Sequence, residues 1–229
     1  MEVLLNADFF PESAPEGASE LLDLVDLANV ACSPRSRNAL ALRSLAKDAS
    51  LRGVRIGALV RYFGGGVSAR ELTSLMEEEI GSVRRLLGES GGAVQHVKLH
   101  GLLADLSDEH SDLAEACVDW MESELEGTPL VVRTGGLLHA VAEARGVPLL
   151  REITAGRSYV DEARLMPPDQ AKALIEDADA VARTIAEWKQ SGHLPTASGK
   201  KWLVEAETVC VIPGTPRDLD IARAVRGVL

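Results

Sequence analysis

The sequence predicts an α/β protein, a single-domain β/α barrel of TIM-like plan with seven to eight parallel strands spanning residues 1–229. Three observations support this. Short β-rich runs alternate with helical patterns, as βα units around a parallel sheet do. The 229 residues suffice for one sizeable core and for a barrel of ordinary length. Seven or eight such units also fit a closed barrel better than a doubly wound open sheet.

The strand-like runs extend from Val3 to Asp8, Ala28 to Cys32, Val54 to Val60, Ala93 to His100, Pro129 to Thr134, Pro148 to Ile153 and Thr208 to Ile212, with one more near Trp202. Between them, helix starts are legible. Ser33-Pro34 places a capping hydroxyl before a proline, Ser68 to Glu71 reads as a capping box, and Thr215-Pro216-Arg217-Asp218 opens the last helix. From Ser68 onward, Leu72, Leu75, Met76, Val83, Leu86 and Leu87 form one apolar stripe facing the sheet. Glu77-Glu78-Glu79 reads as a solvated face, with Ile80 returning to the core.

Apolar residues make up 46% and charged residues 26%, a soluble globular composition, and with aromatics at 3% the core rests on Leu, Val, Ile and Ala. A net charge of −11 argues against nucleic acid as a partner, because phosphate contacts need clustered Lys and Arg. No run approaches the ~18 apolar residues of a membrane span, and Glu2, Asn6 and Asp8 are unlike a signal peptide, so a cytoplasmic location is expected. Cys32, Cys117 and Cys210 are widely spaced and odd in number, which disfavours a disulfide framework; each reads as a small buried apolar residue before it reads as a nucleophile.

The polar face of one strand is the main candidate for chemistry. Alternation puts His96, Lys98 and His100 on one side and Val97 and Leu99 on the other. In a barrel the apolar pair meets the helices and the polar trio points inward, where a charge needs a partner or a ligand. The two histidines are about 13 Å apart along the strand, too far to share one metal, so Lys98 and His100 near the strand's end are the converging pair and His96 is structural. Asn6 and Asp8 on the first strand are likewise two apart. Asp8 suits a general base, a metal ligand or a turn cap. Gly64-Gly65-Gly66 reads as a tight loop, since no phosphate-loop pattern accompanies it.

These residues resemble the LamB/YcsF family, whose characterised members are the A subunit of bacterial 5-oxoprolinase. The carriers run from end to end: Leu5-Asn6-Ala7-Asp8, Ala28-Asn29-Val30-Ala31-Cys32, Val54-Arg55-Ile56-Gly57-Ala58, the long stretch from Gly91 to Gly101, Ala155-Gly156-Arg157-Ser158-Tyr159, and Thr208-Val209-Cys210-Val211. The resemblance implies a barrel related to the glycoside hydrolase/deacetylase superfamily. It also implies a protein that works with two partner subunits and ATP with Mg2+ to open 5-oxoproline, or a related lactam or amide, to the amino acid. On that reading Asp8 orients or deprotonates, Lys98 neutralises charge on phosphate or oxyanion, and His100 moves a proton or holds the substrate. Asn6, Asn29, Arg157, Tyr159, Arg61 and Arg35 become substrate-binding candidates.

The chain departs from the family where members carry His and Asp. It has Ser33 to Asn38 after the second strand, Leu59 in the third, Gly156 before Arg157, and Ile212-Pro213-Gly214 at the end. Arg35, Arg37, Arg61 and Arg133 stand near strand ends with Lys98 and Arg157, which suggests a basic mouth for an anionic small molecule, or else ordinary surface pairs. Two alternatives therefore accompany the lactam reading: altered chemistry on another anionic small molecule, and a non-catalytic partner that retains the fold.

Overall fold

A computed structural model of the chain describes residues 2–5, 27–30, 55–60, 65–88, 93–211 and 218–229. Seven strands, β1 (Glu2–Leu5), β2 (Leu27–Val30), β3 (Arg55–Val60), β4 (Ala93–Leu99), β5 (Leu130–Arg133), β6 (Leu149–Ala155) and β9 (Thr208–Val211), form the sheet. They pair in parallel in the order β1-β2-β3-β4-β5-β6-β9, and β9 pairs back onto β1, so the hydrogen-bonded ring closes. The strand expected near Trp202 is a correction. It is β8 (Lys201–Leu203), which pairs antiparallel with β7 (His193–Pro195) in a separate two-stranded ribbon. The ribbon delivers Leu194 and Trp202 to the core rather than a rung to the ring.

Six helices complete the described residues: α1 (Ala69–Gly88), α2 (Leu102–Glu109), α3 (Ser111–Glu124), α4 (Leu137–Arg145), α5 (Ala178–Ser191) and α6 (Asp218–Val228). None is long and apolar enough to cross a membrane. At the start of α1 the capping box forms as the spacing predicts. The Ser68 N–H donates to Glu71 Oε2 at 2.8 Å, and the Glu71 N–H donates to Ser68 Oγ at 3.4 Å. Leu72, Met76, Ile80 and Val83 are then fully or almost fully buried. Glu77 and Glu78 are exposed, but Glu79 is buried, which corrects the solvated reading of that run. It lies three residues after Met76 and four before Val83, so the helical period returns it to the packed stripe.

The outer face of the sheet carries two apolar clusters. One gathers Val60, Val97, Leu99, Leu130 and Val132 under α1 to α4. The other gathers Ile153, Ala155, Val209 and Val211 under α5, α6 and the ribbon. Each fully buried Leu, Ile or Val side chain contributes about 1.5–3 kcal/mol relative to an exposed one, so these two layers carry most of the driving force.

Candidate active site

The outer clusters identify the inner face by elimination. Because Val97 and Leu99 pack outward, His96 and Lys98 of β4 occupy the inner face. In β6 the inward residues are Glu152 and Thr154, and in β9 they are Thr208 and Cys210. Lys98 spans the interior: its Nζ donates to Glu152 Oε1 at 2.5 Å and to Cys210 Sγ at 3.3 Å. The Lys98 and Glu152 side chains are only 10% and 9% exposed. Glu152 Oε2 is buried and has no hydrogen-bond partner.

The electrostatics of this cluster follow from its packing. Burial works against the Lys98 ammonium, but Cys210 and the Glu152 carboxylate outweigh it and hold its pKa above the usual lysine range. Burial pushes the Cys210 thiol up to about 11; Glu152 adds to the rise and Lys98 opposes it. Cys210 is thus a thiol at neutral pH, and Glu152 is the anion that pairs Lys98. His96, fully buried, is pushed down to about 4 by burial and by the Lys98 charge, so its ring is neutral at pH 7.

His100 follows β4 directly and is half-buried; its backbone N–H donates to Val60 O at 3.0 Å. The next residue, Gly101, has φ +61°, a conformation that favours glycine and turns the chain into α2 immediately after the histidine. Lys98 thus lies inside the ring, and His100 follows at the end of the same strand.

The basic mouth is only partly free. Arg133 of β5 is held by Asp105 at 2.7 Å and Asp108 at 3.3 Å, both on α2. Asp108 also accepts the Leu138 N–H at 3.2 Å, and burial raises its pKa against the pull of Arg133. Arg157, just past β6, donates through Nη2 to Met166 O at 2.6 Å, while its buried Nε has no hydrogen-bond partner. Burial lowers its pKa, with Asp105 opposing and Arg133 adding to the fall, so these three charges share one neighbourhood. Tyr159 is 3% exposed. Its hydroxyl accepts the Thr154 N–H at 2.7 Å, its ring lies 5.2 Å from Trp202, and burial pushes its pKa up to about 12.

Asp8, Asn6, Arg35 and Arg61 lie outside the described residues, and Asn29 is placed only by its register against Gly57. Leu59 stands in register with Lys98. Among the described residues no group of three or more His, Cys, Asp and Glu side chains is gathered to hold a metal ion. Sequence reasoning missed Glu152; Cys210 is buried as expected, but its inward orientation and its contact with Lys98 were missed. The signal was available in both: each alternates with outward-packing neighbours, Ile153 for one and Val209 and Val211 for the other.

Comparison with known proteins bears on the family and the fold. The profile of the LamB/YcsF family matches residues 4–229. The 5-oxoprolinase A subunit of Nitrobacter hamburgensis is 31% identical over 218 residues, covering 91% of this chain and 86% of that protein. Its counterpart in Streptomyces avermitilis is 33% identical over 217 residues, covering 91% and 87%. The crystal structure of a lactam utilization protein from Thermus thermophilus superposes with a TM-score of 0.86 at 24% identity, covering 100% of this chain and 95% of that one. With a family match spanning nearly every residue and relatives this similar along nine-tenths of its length, the chain belongs to the LamB/YcsF family.

Proposed function

We propose that this protein is a divergent enzyme of the 5-oxoprolinase A-subunit type that opens 5-oxoproline or a related lactam, with ATP and two partner subunits, in the cytoplasm. Its fold on this reading is one TIM-like domain over residues 1–229, akin to the glycoside hydrolase/deacetylase superfamily. The observation that carries the proposal is the Lys98 ammonium, buried inside the ring and kept charged by Glu152. A five-membered lactam retains its amide resonance, and ATP supplies activation of the carbonyl oxygen. Lys98 offers a preorganised positive charge where that oxygen becomes anionic. His100 at the strand end moves a proton or holds the ring, Asp8 orients or deprotonates the nucleophile, and Arg157 takes the substrate's carboxylate. Asn6, Asn29, Arg35, Arg61 and Tyr159 complete the substrate contacts on this reading.

Mg2+ on this reading comes with ATP. The test is reconstitution with the partner subunits, ATP and 5-oxoproline, read as glutamate release. Turnover that falls about 100- to 1,000-fold in Lys98→Met is the expected result. No release by the wild-type complex overturns the proposal. The register of Leu59 against Lys98 favours a second reading, altered chemistry on another anionic small molecule, because the apolar Leu59 stands there where the family resemblance implies a histidine. Anion binding that depends on Lys98 and Arg157, without glutamate release, would select it.

A further inference from the structure

The Lys98–Glu152 pair has unused hydrogen-bonding capacity of both signs. An ammonium has three N–H donors. Two of those of Lys98 go to Glu152 Oε1 and Cys210 Sγ, which leaves one. A carboxylate has two acceptor oxygens, and Glu152 Oε2 is buried without a partner although the side chain is only 9% exposed. Buried carboxylate oxygens are ordinarily satisfied, so one that is not points to a donor that arrives with a ligand. A spare donor and a spare acceptor thus belong to two side chains already in contact, inside the ring.

We infer that Lys98 and Glu152 together read a cis amide, the lone donor of Lys98 taking its carbonyl oxygen and Glu152 Oε2 taking its N–H. Only a cis amide presents C=O and N–H along one edge, and a small lactam is locked in that form. Open-chain secondary amides favour trans by roughly 100-fold or more. The pair therefore selects cyclic over linear amides and rejects rings that lack the N–H. Glu152 is on this account a specificity-determining contact, and the assignment rests on the lactam reading above.

Binding of three carboxylates to the full chain, alone and with its partner subunits, tests this by calorimetry: 5-oxoproline, its ring-oxygen analogue 5-oxotetrahydrofuran-2-carboxylate, and open-chain N-acetylalanine. The wild type is expected to bind the lactam at least about tenfold more tightly than the lactone, the difference expected for losing a hydrogen bond to a charged group. N-acetylalanine should bind more weakly still. In Glu152→Gln the amide carbonyl keeps the Lys98 contact and an N–H2 replaces Oε2, so the preference should vanish or invert toward the lactone. Equal binding of lactam and lactone by the wild type overturns the inference, whether or not the variant folds. So does a wild-type preference that persists in Glu152→Gln. Glutamate release from 5-oxoproline separates the two ideas: release without lactam selectivity removes only the inference, whereas neither release nor lactam binding removes the functional proposal as well.

Discussion

Two cations on the inner faces of adjacent strands, Lys98 of β4 and Arg133 of β5, are used in opposite ways. Arg133 faces two carboxylates, Asp105 and Asp108, both carried by the helix that follows β4. Asp105 is 57% exposed, so this network borders solvent. Lys98 has one carboxylate, from a strand 54 residues away, and both partners are buried. The Arg133 network is locally supplied and nearly saturated, fixing α2 and α4 against the mouth. The Lys98 pair is buried, joins strands from the two outer clusters, and keeps an acceptor in reserve. Arg133 thus faces two carboxylates at the solvent border, whereas Lys98 faces one in the buried interior. On the reading proposed above, that difference assigns the chemistry to Lys98 rather than to Arg133.

Removing one member of the buried pair should have the largest effect. Glu152→Ala leaves a buried ammonium without its anion, a change that typically costs about 3–5 kcal/mol. The expected readout is a large fall in Tm or urea midpoint. Because such a variant sits near the limit of folding, the double replacement Lys98→Met with Glu152→Leu sharpens the comparison. It removes both charges and should regain most of the lost stability while remaining inactive. If Glu152→Ala proves no more destabilising than Asp105→Ala, expected to cost about 1 kcal/mol or less at its exposed position, the two networks are equivalent and the contrast fails.

The Lys98 side of the comparison also predicts a pH dependence. The folded pKa of His96, about 4, lies below that of an exposed histidine near 6.5, so the unfolded chain binds the extra proton first. Stability should be at full value above about pH 6.5 and decline as pH falls toward 4, by up to about 1.4 kcal/mol for each pH unit in that window. Replacement by Asn, which cannot titrate, should flatten this slope in urea unfolding measured between pH 6.5 and 5, above the range in which carboxylates with lowered pKa, such as Glu207, begin to protonate. An unchanged slope would show that Lys98 and burial do not keep His96 neutral.

How much of this was legible in the sequence depended on the range of the interaction. Strands β3 to β6 and β9 fall within about two residues of their predicted ends, because alternation and flanking turns are local signals. The inner orientation of Lys98 followed from Val97 and Leu99 alone. The Ser68–Glu71 cap, three residues apart, was equally plain. The pairing of Lys98 with Glu152 was not, since nothing in a single sequence says which of many carboxylates a strand residue will meet across a closed ring. Whether Arg133 was free or paired stayed open for the same reason in reverse: Asp105 and Asp108 become its partners only once α2 folds back against it. The segment around Trp202 was misread as a rung of the ring because short apolar runs look alike whether they pair in parallel or as a ribbon.

The smallest expected effect lies at the far end of the Arg133 network and changes sign with context. Gly136 precedes α4 with φ −72°, a backbone that alanine adopts without strain. In free space Gly136→Ala would therefore stabilise by about 0.4–1 kcal/mol through the unfolded chain. Here an added Cβ collides with the Asp108 carboxylate, which at the same time accepts the Leu138 N–H and faces Arg133. Displacing that carboxylate loses a helix cap worth about 1 kcal/mol, so the substitution should be neutral to mildly destabilising in the wild type. In an Asp108→Ala background the obstacle and the cap are already gone, and the same Gly136→Ala change should stabilise. A pair of thermal melts decides it. If the substitution has the same sign in both backgrounds, Asp108 is not held against the start of α4, and Arg133 loses the second of the two anchors that set it apart from Lys98.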